Sequence, residues 1–108
     1  MKTRTVVDTT GSSVISESIP LDEGYIGDGR QMPPDRVIYA RSPGGTFTAA
    51  VPLMWGIDKT HMEPLVIDGE AVTVTPGGDP VSLKYSACYI GCDLTGITST
   101  DLIVEINI

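Results

Sequence analysis

At 108 residues the chain has room for one hydrophobic core and not for two. With 41% hydrophobic and 19% charged residues it carries enough apolar surface to fold, unlike disordered sequences. The net charge of −7 is uneven: five basic residues face six acidic ones through Ser42, and only Lys59 and Lys84 face eight acids beyond it, which argues against nucleic acids and anionic membranes as partners.

The segment Met1-Lys2-Thr3-Arg4-Thr5-Val6-Val7-Asp8 has too short an apolar run for a signal peptide. No stretch reaches the roughly 18–20 apolar residues of a membrane span, so the expectation is a product made and kept inside the cell, without a leader. Residues 8–35 are punctuated by Gly11, Pro20, Gly24, Gly27, Gly29, Pro33 and Pro34, while Val14, Ile15, Ile19, Leu21, Tyr25 and Ile26 follow no period. Such a stretch reads either as an arm that becomes ordered against a neighbouring subunit or as a long surface loop with a short hairpin over residues 13–21. The six apolar residues are the candidate interface in the first case.

Residues 36–40 are apolar on both faces (Val37 and Tyr39; Ile38 and Ala40), which predicts a central strand. Pro43-Gly44-Gly45 supplies turn chemistry that would reverse this strand into an alternating one over 46–51. Trp55 follows, a candidate interface anchor or ligand platform because indole buries much area at low entropy cost. Residues 57–63 allow a turn or two of helix at most. Asp68-Gly69, between Leu65-Val66-Ile67 and Ala71-Val72-Thr73-Val74, suits a type I′ hairpin. Pro76-Gly77-Gly78 repeats the earlier turn and would reverse residues 71–75 into a strand over 81–90, where Val81, Leu83, Tyr85, Ala87 and Tyr89 alternate with polar positions. Residues 102–108 alternate again, with Leu102, Val104, Ile106 and Ile108 on one face, and should tie the end of the chain into a sheet. The whole reads as one all-β domain over 1–108, an antiparallel sandwich or small barrel with residues 8–35 as an extended arm or loop.

Chemistry-bearing constellations are sparse. Cys88 and Cys92 would lie about 13 Å apart in one extended strand, too far for a disulfide. Free thiols are therefore expected, the alternatives being a bridge made by a bend at Gly91 or a metal site needing ligands beyond the lone His61. His61 accompanies no nucleophile motif and reads as a surface-turn residue. Asp22, Glu23, Asp28 and Asp35 do not follow a calcium-loop pattern, and Gly27-Asp28-Gly29 lacks the lysine and spacing of a phosphate loop. No catalytic residue, cofactor or metal is assigned.

Pro52-Leu53-Met54, with Leu65-Val66-x-Asp68-Gly69 and Ala71-Val72 downstream, faintly resembles the small capsid-decoration proteins of tailed bacteriophages of the lambda type, over about a fifth of the chain. The resemblance implies a helix-poor, non-enzymatic virion protein that stabilises a shell, often as a trimer, with the major capsid protein or other virion subunits as partners and a Pro/Gly-rich N-terminal segment ordered on the lattice. Residues 86–93 depart from it entirely. The alternatives are a tail or neck component of a virion and a carbohydrate- or ligand-binding β-module built on Trp55.

Overall fold

The computed structural model describes residues 3–11, 14–20, 36–83 and 89–107. Among them run twelve strands: β1 (Thr3–Asp8), β2 (Ile15–Ser16), β3 (Ile19–Pro20), β4 (Arg36–Arg41), β5 (Val51–Gly56), β6 (Met62–Pro64), β7 (Val66–Ile67), β8 (Glu70–Ala71), β9 (Thr73–Val74), β10 (Val81–Leu83), β11 (Tyr89–Cys92) and β12 (Ile103–Asn107). They form one five-stranded sheet in the order β10-β4-β12-β1-β2, a second in the order β3-β11-β5-β6 with β9 also on β5, and a separate ribbon β7-β8. Every pairing is antiparallel. The fold is all-β, as the alternation and turn chemistry predict.

The core lies between the two sheets and is built by period-2 alternation. In β4, Arg36, Ile38 and Ala40 point inward and Val37, Tyr39 and Arg41 outward; β4 sits between β10 and β12, the central position expected of it. Leu102, Val104 and Ile106 are fully buried, and β12 pairs on both sides, so the end of the chain is tied in as expected. The second sheet contributes Val51, Leu53, Ile90 and Ile19. Val6 and Val7 are adjacent yet both fully buried. The cause is a register shift between Thr5 and Val7, which lets two successive side chains share one face.

The two Pro-Gly-Gly turns form, but neither makes a hairpin. Gly45 N–H donates to the Ser42 carbonyl at 3.0 Å, and Gly78 N–H to the Thr75 carbonyl at 2.8 Å. Gly77 has φ +78, which makes the second a type II turn. Each carries the chain from one sheet to the other: β4 to β5 in the first case, β9 to β10 in the second. Residues 46–50 therefore do not pair as a strand, and β5 begins at Val51. The local cause is Asp101, whose carboxylate accepts from Gly44 N–H (2.8 Å), Thr46 N–H (2.9 Å), Thr46 Oγ1 (2.8 Å) and Ser42 Oγ (2.6 Å), so the first donors of the expected strand are spent on the turn. The strand expected over 81–90 is likewise divided, β10 in one sheet and β11 in the other; residues 84–88 lie outside the described residues.

The expected hairpin over 13–21 is replaced by a crossing. β2 pairs with β1 at the edge of the first sheet, and β3 pairs with β11 at the edge of the second. Glu17 N–H donating to the Val6 carbonyl at 2.8 Å extends the first attachment. Residues 14–20 thus belong to the sandwich itself. The rest of the segment expected as an arm, residues 21–35 with Leu21, Tyr25 and Ile26, lies outside the described residues.

Candidate functional site

The outer edge of β5 carries the features that set this molecule apart from a bare sandwich. β6 pairs with it over Met54↔Pro64, Trp55↔Glu63 and Gly56↔Met62, and β9 over Val51↔Val74 and Pro52↔Thr73. Opposite Leu53 stand two residues instead of one. Leu65 N–H donates to the Leu53 carbonyl (3.0 Å), Leu53 N–H donates to the Val72 carbonyl (2.9 Å), and Val72 N–H closes the base by donating to the Leu65 carbonyl (2.9 Å). β6 and β9 are thus one continuous partner strand for β5, interrupted by the inserted ribbon 66–71.

That ribbon turns at Asp68 (φ 53) and Gly69 (φ 79), the pair of positive φ values that defines the type I′ turn expected from the Asp-Gly pair. Its root is held by buried Leu65. Beyond the root, Val66 is 52% and Ile67 40% exposed, two β-branched side chains on a short ribbon that pairs with neither sheet.

A cleft of about 260 Å³ opens at the other end of the same edge, lined by Trp55, Gly56, Ile57, His61 and Glu63. The loop between β5 and β6 is organised by Asp58, which accepts from Thr60 N–H (2.8 Å), Thr60 Oγ1 (2.8 Å) and His61 N–H (3.0 Å). The His61 ring nitrogen Nδ1 lies 2.8 and 2.9 Å from the two Asp58 oxygens. Hydrogen bonds from Thr60, then from His61, lower the Asp58 carboxyl to about 2. Because a carboxylate only accepts, Nδ1 carries the proton, and in the neutral ring Nε2 is left as an acceptor. Gly56 is required here by close approach: a Cβ at this position would lie 2.3 Å from the His61 carbonyl oxygen. Ile57, 80% exposed, forms the rim.

The sequence-predicted interface residues part company in the structure. Ile19 is fully buried in its own core, paired with Ile90, because β3 closes the edge of the second sheet; its expected role as an intersubunit contact is corrected. Val14 is 63% exposed, and Ile15 pairs through its backbone with Asp8. Trp55 is half-buried, packed against the core on one side and lining the cleft on the other. His61 does lie on an exposed turn, but the sequence reading missed its partnership with Asp58. The signal was present in Asp58-x-Thr60-His61, since aspartate accepts readily from donors two and three residues on.

A second cleft, of about 300 Å³, lies where the two Pro-Gly-Gly turns meet and includes Arg41, Phe47 and Pro76. Its cation is already engaged: Arg41 Nε donates to Glu105 Oε1 at 2.9 Å, and the Tyr39 hydroxyl donates to the same oxygen at 3.3 Å. Cys92 is a free thiol packed against the core, and burial pushes it up to about 12; Cys88 lies outside the described residues. Among the described residues no three His, Cys, Asp or Glu side chains converge as metal ligands, and no helix is long and apolar enough to cross a membrane. No family model, curated protein or solved structure matches this chain.

Proposed function

We propose that the chain is a non-enzymatic structural protein of a virion, a capsid decoration or cement protein that stabilises a shell through subunit contacts. The observation that carries this reading is the ribbon 66–71: a rigidly rooted insertion that offers Val66 and Ile67 to the outside and lies apart from both sheets. Exposed β-branched residues on a preorganised ribbon bind at low entropic cost, and many such modest contacts on a repeating lattice act together. The segments that carry the resemblance to decoration proteins, 52–54, 65–69 and 71–72, are also neighbours in space, since Leu53 bonds to both Leu65 and Val72. In this reading the ribbon takes on the contact role that the sequence suggested for Ile19.

Quantitative mass spectrometry of purified particles of the virus that encodes the chain tests the proposal. The expected result is a fixed stoichiometry to the major capsid subunit, with Ile67→Asp lowering incorporation at least tenfold while circular dichroism stays unchanged. Absence from particles, or full incorporation of Ile67→Asp, overturns it.

A further inference from the structure

We propose that Asp68-Gly69, at the tip of the ribbon 66–71, is a site of spontaneous isoaspartate formation, a slow self-modification that reshapes the exposed ribbon. In this reaction the backbone nitrogen of Gly69 gives up its proton and bonds to Cγ of Asp68, and the carboxyl group loses its hydroxyl as water. The five-membered succinimide that results takes up water again. Addition at Cγ restores aspartate. Addition at the main-chain carbonyl breaks the bond from that carbon to nitrogen, so the chain now runs through Cβ and Cγ and the former main-chain carbonyl becomes a free carboxylate. Water lost equals water gained, and no oxidant, reductant or cofactor is needed.

The reaction needs an unshielded nitrogen, a carboxyl group that is not held, and a backbone that can turn. Gly69 has no side chain to block the approach, and nothing lies within 4 Å of the place its Cβ would take. Asp68 is exposed, and its carboxyl group makes no hydrogen bond or ion pair among the described residues. The carboxylates of Asp8, Asp58, Asp93 and Asp101, by contrast, accept from backbone amides, and each of these residues precedes one with a bulky side chain. Asp79 precedes Pro80, which has no N–H to lose. β7 and β8 pair only with each other, so the tip can leave its type I′ geometry without opening either sheet. The consequence is local and large. A two-residue turn closes Ile67 onto Glu70, and an extra main-chain carbon lengthens the loop, releases that pair and re-aims Ile67. The inference does not depend on the virion reading, because it concerns the chemistry of the chain alone.

The test ages the intact chain at neutral pH and 37 °C for several weeks beside a synthetic peptide of residues 64–72. Peptide mapping with electron-transfer fragmentation cleaves the isoaspartyl backbone at its extra bond and so tells it from aspartate. Isoaspartate at position 68 should accumulate within tenfold of the peptide's rate, and at least tenfold faster than at Asp8, Asp58, Asp93 or Asp101. Asp68→Asn reaches the same succinimide by losing ammonia from a neutral carboxamide and should form isoaspartate at least tenfold faster, whereas Asp68→Glu would have to close a six-membered ring and should form no such product. In the purified isomerised chain, NMR contacts between Ile67 and Glu70 should vanish while those of β12 persist. Formation at position 68 more than tenfold slower than in the peptide, or no faster than at the other four aspartates, overturns the proposal, as does an isomerised chain that keeps the Ile67–Glu70 contacts.

Discussion

Aspartate does repeated structural work in this chain. In Asp8-Thr9-Thr10, Asp58-Lys59-Thr60 and Asp93-Leu94-Thr95 the carboxylate accepts from the backbone N–H two residues on, at 2.9, 2.8 and 2.9 Å, and each carboxyl is lowered, first by the threonine hydroxyl and then by other donors. Asp101 is lowered furthest, by Ser42 Oγ, the Thr46 and Gly44 amides and Thr46 Oγ1. A carboxyl whose folded value is depressed adds stability that is complete above its unfolded value near 4 and is lost as the pH falls through the folded value. Thermal melts from pH 7 to pH 2 should therefore hold level to about pH 4 and then fall, with Asp58 giving up its share toward about pH 2. Asp101→Asn leaves one acceptor oxygen in place of two; with that oxygen on the side where three of the four bonds end, the NH2 group faces the Gly44 N–H, which loses its acceptor. It should lower the melting temperature at pH 7 by about 4 °C or more and flatten the acid limb; an unchanged melt would show that the turn holds without it. Burial of Cys92 has its own consequence, because only the thiolate is nucleophilic. In the native protein at pH 8, alkylation mapped by mass spectrometry should leave Cys92 at least 100-fold slower than in denaturant.

At the scale of elements, what the sequence made legible was the local turn and the strand period. Asp68-Gly69 fixed its own turn type, and the alternation of residues 102–106 placed the right face inward, because both depend on chemistry within a few residues. Where each strand went after a turn was not legible. Pro-Gly-Gly sets a turn but does not encode whether the next strand rejoins its own sheet, and that choice rests on the distant Asp101, 55 to 59 residues away in sequence. Ile15 and Ile19 showed no period because their strands are two residues long and belong to different sheets. Two substitutions separate core from surface: Ile19→Asp places a charge among fully buried residues and should abolish the cooperative melt, whereas Ile67→Asp should leave it within a few degrees. The insertion in the partner strand of β5 predicts more. Excising residues 66–72 joins Leu65 to Thr73 and keeps the register, with Leu65 alone supplying both the donor and the acceptor opposite Leu53. The shortened chain should fold with native-like circular dichroism and a modest loss from the missing Val72 contact; an unfolded product would mean that the ribbon belongs to the core.

Across the whole molecule, the two sheets are joined by the chain on both sides: the link from β2 to β3 at one pair of edges, and the turn from β9 to β10 at the other. Each crossing ties an outer strand of one layer to the opposite layer, so the sandwich approaches a barrel, and the interior of each sheet is shielded from edge-on opening. Stability should accordingly grade from the middle outward. β12 pairs on both sides and buries Val104 and Ile106 completely, while β7 and β8 pair only with each other and are exposed throughout. Backbone amides in β12 should exchange only through global unfolding, and those of β7 and β8 through local opening at far lower free energy. Hydrogen exchange followed by mass spectrometry resolves the two populations in the free protein. The same measurement after mixing with the shell of the proposed function tests that proposal, since a ribbon that docks must slow its exchange while β12, already at the global limit, stays as it was. Slowing confined to residues 57–63 would instead place the contact at the Trp55 cleft and leave the ribbon without a role in assembly.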